Sequence, residues 1–177
     1  MIKYLTAIGL FTLSSAAFAT NCPDYLNVEA RKLHSTENVN LCELTQGKPV
    51  LIINTASHCG FTPQFEALEA LHQEYAAKGL VVIGFPSDDF FQEEKDEAKT
   101  ADICFINYGV TFTMVATSAV KGSDANSVFK YLGDKSAPPK WNFYKYVISG
   151  DGQTVKQFTS RVKPESEELK KAIESVL

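Results

Sequence analysis

Positive charge, clustered metal ligands and long apolar runs are all scarce in this 177-residue chain, and each scarcity removes a class of function. Lys and Arg number 17 against 21 Asp and Glu, a formal net charge of −4. No basic stripe is left to neutralise phosphates, so nucleic acid is not an expected partner. Only His34, His58 and His72 carry imidazole, and the four cysteines, Cys22, Cys42, Cys59 and Cys104, include no Cys-x-x-Cys pair. A metal is therefore not expected, and no cofactor is implied. The single long apolar run, Tyr4 to Phe18, is shorter than the roughly 20 residues a spanning helix needs, so no membrane protein is expected. Repeats, low-complexity tracts and Ser/Pro linkers are missing too, which leaves one domain. The short stretch Lys121 to Lys140 offers no assembly element, and a monomer is the expectation.

What is present begins with an export signal. Lys3 supplies a positive start, Leu5 to Leu13 an apolar centre, and Ala17-Phe18-Ala19 a small-x-small cleavage site. Residues 1–19 are thus expected to be removed near Ala19-Thr20, and the rest to reach the periplasm or the exterior. In an oxidising compartment an even set of cysteines usually pairs, so each one is either structural or reactive.

The remaining sequence alternates strand and helix signals. Residues 20–47 are polar and turn-rich, with Val39 to Leu44 alternating like a short strand; they read as a lead-in or hairpin before a domain over 48–177. Val50-Leu51-Ile52-Ile53 suits a strand covered on both faces. Phe61, Phe65, Leu68, Leu71 and Tyr75 recur at helical spacing, with Pro63 for the first turn and Gly79 for the end. Leu80 to Phe85 is a second buried strand, so the three elements form a parallel unit. A helical stripe at Ala98, Ala101, Phe105 and Tyr108 follows, then a strand over Val110–Val115 and a helix over Asn126–Leu132. Tyr144–Ile148 and Thr154–Phe158 flank Gly150-Asp151-Gly152 as a hairpin, and a last helix opens at Pro164. The fold class is α/β, a central mixed sheet flanked by helices.

Cys59 falls just past the first buried strand and just before the helix near Pro63. Open α/β sheets place ligands at that edge, and the amides of a helix start favour a thiolate over a thiol. Gly60 beside it lets a substrate approach the backbone. An inert buried Cys is the competing reading.

The segment Asn54-Thr55-Ala56-Ser57-His58-Cys59-Gly60-Phe61-Thr62-Pro63-Gln64-Phe65 resembles the active-site segment of glutathione peroxidases, thiol peroxidases on a thioredoxin fold. Gly84 to Phe90, Asn107 to Phe112 and Trp141-Asn142-Phe143 match further segments in the same order. The resemblance implies a thioredoxin-like fold, Cys59 as the peroxidatic residue, and Trp141 and Asn142 as its hydrogen-bonding partners. An indole N–H and an amide NH2 are neutral donors of the kind that a departing peroxide oxygen needs. It also implies Cys104 as the resolving residue of the thioredoxin-dependent branch; the competing reading is a helix-face Cys, three residues after Ala101 in the stripe and so partly buried. Peroxide would be the substrate, and a thioredoxin-like dithiol protein or glutathione the electron donor. With those roles taken, Cys22 and Cys42 are left as the expected structural disulfide, contributing roughly 3 kcal/mol.

Asp89 departs from the family, which places Gln there. Three readings stand: a protonated Asp89 that donates, an Asp89 turned away from the thiol, or simple loop solvation. His58, where many relatives carry Lys, is expected to be an exposed bystander. Two rival functions also stand. A thiol–disulfide oxidoreductase on the same fold would normally carry Cys-x-x-Cys, but Cys59-Gly60-Phe61-Thr62 ends in Thr. A redox-inert binding module would make Asp89 a mark of lost activity.

Overall fold

The computed structural model describes residues 23–177; the expected export signal, its cleavage point and Cys22 lie outside them. After a single 3-10 turn, Asp24–Leu26, the described chain forms an antiparallel hairpin, β1 (Glu29–Arg31) with β2 (Asn38–Asn40). The strand expected over Val39–Leu44 stops at Asn40. The Asn40 side chain accepts the backbone N–H groups of Cys42 and Glu43 at 2.9 and 3.2 Å and starts a short helix, α1 (Leu41–Thr45). An Asn cap satisfies amides that a helix start leaves open, and here it outweighs a brief period-two pattern.

The central sheet is built outward from β3 (Val50–Thr55), buried at every position. On one side it runs parallel to β4 (Val81–Pro86), joined to it through α2 (Gln64–Tyr75); β4 is followed outward by the parallel β5 (Thr113–Met114). On the other side it pairs antiparallel with β6 (Lys145–Ile148), which pairs with β7 (Val155–Phe158). The order is β5-β4-β3-β6-β7, the mixed sheet expected from the sequence.

The continuous apolar run of β3 has a simple cause, since both of its faces are covered. Leu51 and Ile53, with Val147, meet Phe65, Leu68, Leu71 and Tyr75 of α2 and Leu169, Ala172 and Ile173 of α5 (Glu167–Glu174). Val50 and Ile52, with Ile83 and Tyr146, meet Val128, Phe129 and Leu132 of α4 (Ser127–Lys135). The lead-in belongs to this second layer: Tyr25 stacks on Tyr131 of α4 with ring centroids 3.8 Å apart.

Three boundaries differ from expectation. The strand over Val110–Val115 contracts to Thr113–Met114, because the Val110 amide bonds the Cys104 carbonyl and the Thr111 amide bonds Glu69 at 2.8 Å. The last helix starts at Glu167 rather than Pro164, because the Ser166 hydroxyl caps it by accepting the Leu169 N–H. The stripe through Ala98, Ala101, Phe105 and Tyr108 holds only as far as α3 (Glu97–Ala101), after which the chain widens into a π-helical turn, Asp102–Asn107. Within this turn Cys104 is buried in the core and Phe105 is left partly in solvent. In the β6–β7 hairpin, a Cβ on Gly150 would fall 1.9 Å from the Gly47 carbonyl oxygen, a close approach that only glycine permits.

Candidate active site

Cys59 lies in the turn between β3 and α2, 6% exposed and a free thiol. Thr62 shapes this turn. Its hydroxyl donates to the Ala56 carbonyl at 2.8 Å and accepts the Cys59 N–H at 3.0 Å, while its own N–H reaches the Cys59 carbonyl at 2.9 Å. The turn thereby aims the Phe61 N–H at Cys59 Sγ, 3.5 Å away. Thr62 stands where a Cys-x-x-Cys protein has its second thiol, and it is fully used in holding the loop.

Trp141, Asn142 and Phe143 are carried to this turn by Asn54, the penultimate residue of β3. Its Nδ2 donates to the Trp141 carbonyl at 3.0 Å, its Oδ1 accepts the Tyr144 N–H at 3.1 Å, and its carbonyl accepts the Phe143 N–H at 2.6 Å. A buried Asn satisfying three groups of one corner is a rigid clamp. The indole of Trp141 is 41% exposed and lies 5.5 Å from the Phe90 ring. Asn142 is wholly buried; its carbonyl accepts the Ser160 hydroxyl at 2.5 Å and its Nδ2 donates to Gln92 Oε1 at 3.0 Å. The Gln92 carbonyl in turn accepts the His58 N–H at 2.9 Å. Gln92 was missed in reading the sequence, although it is the one uncharged amide side chain between Asp88 and Lys95.

Asp89 is engaged elsewhere. Its Oδ2 accepts the backbone N–H groups of Val120 and Lys121 at 2.6 and 3.0 Å, so it works as an acceptor that ties two loops together. His58 also points outward, with Nε2 2.7 Å from Glu94 Oε1 and more than half its side chain in solvent.

Cys104, the second free thiol, is 1% exposed and shares the core layer that contains Cys59. Burial, reinforced by the charge of Glu93, pushes its thiol up to about 12. Glu93 is a second residue that sequence patterns did not reveal. One of its carboxyl oxygens accepts the hydroxyls of Ser57 and Thr100, the latter at 3.0 Å, and the Glu94 N–H at 2.8 Å. Burial moves its own pKa upward. This carboxyl therefore spans the loop before Cys59 and the helix that leads to Cys104. Cys42 is engaged in a disulfide.

Two shallow grooves flank the Cys59 turn and share Phe61 and Arg161. One, of about 380 Å³, adds Gly60, Pro63, Gln64 and Lys163; the other, of about 400 Å³, adds Trp141 and Tyr144. Cys59 itself lines neither groove, and Glu165 adds a carboxylate to the first. Among the described residues no group of three His, Cys, Asp or Glu is set to hold a metal, and no helix is long and apolar enough to cross a membrane.

The layer order, with Cys59 at the strand-to-helix edge and Thr62 in place of a second thiol three residues on, defines a thioredoxin-fold protein whose turn lacks a Cys-x-x-Cys pair. Solved structures agree on the fold. The crystal structure of Trgpx in apo form matches with a TM-score of 0.67 and 28% identity over 86% of this chain and 94% of that one. A Mycobacterium tuberculosis DsbF structure, at 14% identity and TM-score 0.62 over 88% and 99%, shares the fold alone. The chain belongs to the glutathione peroxidase family: the model of that family, Glutathione peroxidase, matches residues 25–133. It is 46% identical over 138 residues to the glutathione peroxidase-like peroxiredoxin GPX5 of Chlamydomonas reinhardtii, covering 75% of this chain and 84% of that protein. It is 42% identical to a glutathione peroxidase of Lactococcus lactis, covering 72% and 87%.

Proposed function

We propose that this protein is a thiol peroxidase that reduces hydrogen peroxide or small organic hydroperoxides through Cys59. The Cys59 thiolate attacks one peroxide oxygen; an S–O bond forms, the O–O bond breaks, and the departing oxygen leaves with the electron pair and takes up a proton. Sulfur is thereby oxidised to the sulfenic acid. Cys104 then attacks that sulfur, a disulfide forms and water leaves, and a thioredoxin-like dithiol or glutathione returns both sulfurs to thiols. Trp141 and Asn142 supply neutral hydrogen-bond donors near the leaving oxygen.

The observation that carries this reading is the Cys59 turn itself: a free thiol meeting the Phe61 N–H, with Thr62 where an exchange enzyme has its second cysteine. Relatives named as glutathione peroxidase-like peroxiredoxins support it. One equivalent of hydrogen peroxide added to the reduced protein is expected to yield a Cys59–Cys104 disulfide in mass mapping, and Cys59→Ser is expected to consume none. Insulin reduction with Cys59 left as a free thiol after peroxide would instead make the protein an exchange enzyme.

The placement of Asp89 supports a structural role. Asp89→Asn retains an oxygen for the Val120 and Lys121 amides, so peroxide reduction by this variant should stay within threefold of wild type. A loss of tenfold or more in stopped-flow oxidation would restore Asp89 as a donor. The disulfide at Cys42, with Cys59 and Cys104 both free, supports Cys22 as its partner. Such a bridge, together with the signal-like residues 1–19, favours an exported enzyme that meets its reductant outside the cytoplasm.

A further inference from the structure

Gln92 is held at the site from two directions. Its backbone carbonyl accepts from His58, the residue before Cys59, and its side chain accepts the only side-chain hydrogen bond that Asn142 makes among the described residues. The approach to it is costly. Phe91 takes φ of 59°, in the left-handed region, with its ring 90% exposed. A non-glycine residue is strained there, and an apolar ring in water recovers none of that cost. What this turn achieves is to leave residue 91 in solvent and bring residue 92 back onto Asn142.

The Asn142 amide is itself incomplete, because its Oδ1 is buried and has no donor. A bare buried acceptor destabilises the fold, because its lost hydration is not replaced. One hydrogen bond between two primary amides can run in either sense, since each carries an acceptor and two donors. In the observed sense Gln92 accepts and the Asn142 oxygen is orphaned. In the opposite sense Gln92 Nε2 donates to Asn142 Oδ1, the orphan is satisfied, and the Asn142 NH2 stands where the bare oxygen stood.

We propose that Gln92 is a positioning residue for peroxide reduction, which by donating to Asn142 turns that amide's N–H groups toward the oxygen that leaves during attack by Cys59. The inference rests on the peroxidase reading. When the O–O bond breaks, the electron pair moves to the departing oxygen, water supplies its proton, and the neutral amide contributes a hydrogen bond without transferring a proton. Asp89 cannot take this part, since its carboxylate holds the Val120 and Lys121 amides.

Two variants and two reagents test the proposal. Gln92→Glu has nearly the same shape but only accepts when ionised, so it locks the Asn142 NH2 toward position 92. Gln92→Met sets neither sense and carries no charge. Oxidation of Cys59 by hydrogen peroxide, followed by stopped flow, should slow 10- to 100-fold in Gln92→Glu and less in Gln92→Met. Alkylation of Cys59 by iodoacetamide, whose iodide leaves without needing a donor, should stay within threefold in both. Equal slowing toward the two reagents would mean that position 92 acts on the thiol or on the fold, and would overturn the proposal. Unchanged peroxide rates in both variants would overturn it as well. If wild-type Cys59 itself resists peroxide while accepting iodoacetamide, the peroxidase reading is what has failed.

Discussion

Cys104→Ser is expected to abolish sustained turnover with a dithiol reductant, at least 100-fold, while the first oxidation of Cys59 proceeds within twofold of the wild-type rate. Two features of Cys104 drive the expectation. Burial, with the nearby Glu93 charge, pushes its thiol up to about 12, so at neutral pH the nucleophilic thiolate is scarce in this arrangement. A disulfide also needs Cα atoms within about 7 Å and sulfurs correctly aimed. Any movement that brings Cys104 out to meet Cys59 involves the Asp102–Asn107 segment. That segment is already a π-helical turn, a rare form with one residue too many for α-helical packing. Glu93, bonded to Ser57 on one side and Thr100 on the other, links its release to the loop that holds Cys59. In Cys104→Ser the sulfenic acid has no internal partner. It should be trapped by dimedone in mass spectra, and should advance to sulfinic acid under excess peroxide. Turnover kept within threefold of wild type would mean that an external thiol attacks Cys59 directly and that Cys104 serves only the core.

The second large effect concerns stability. Lys145 opens β6 wholly buried, its Nζ donating to the Phe143 carbonyl at 2.9 Å. Burial, only partly offset by the charge of Glu165, pushes its pKa down to about 7. The unfolded chain would hold that proton up to about 10.4, so between the two values unfolding takes up a proton. The sign is therefore destabilising: the native state is penalised at low pH and gains as pH rises. The penalty is on the order of 4 kcal/mol at pH 7, and about 1.5 kcal/mol of it should be relieved by pH 8.5. Above that, the raised Cys104 thiol works in the opposite direction, since the unfolded cysteine ionises first. Lys145→Met keeps the volume of the stem and removes the buried amine. Urea unfolding at pH 7 should show it more stable by about 2–3 kcal/mol, after about 1 kcal/mol for the donor that Phe143 loses, and its stability should be flat from pH 7 to 8.5. A variant less stable than wild type across that range would show that the ammonium is well compensated in place.

By itself, the sequence determined the parts whose cause is local. The β3–α2–β4 unit was legible because a fully buried strand and an amphipathic helix each write a periodic pattern into a few consecutive residues. Cys59 followed from that unit, since the end of a buried strand and Pro63 bracket the edge where the sheet presents a side chain. The resemblance in order and spacing of Trp141-Asn142-Phe143 named the corner beside it, but the clamp by Asn54 that brings the corner there is a contact between segments remote in sequence.

Only the tertiary structure decided what depends on such meetings. The direction of Asp89 is set by the amides of Val120 and Lys121, and the value of Gln92 by Asn142. No periodicity encodes which loop will face another. The π-helical turn over Asp102–Asn107 departs from the 3.6-residue period that the sequence stripe assumes, and Phe105, a member of that stripe, is left partly in solvent. Lys145 reads as a polar residue at a strand end, and its burial appears once Phe143 and the flanking strands close around it. A side chain's environment in a loop or at a strand end is made by distant neighbours, so it emerges only when the chain has folded.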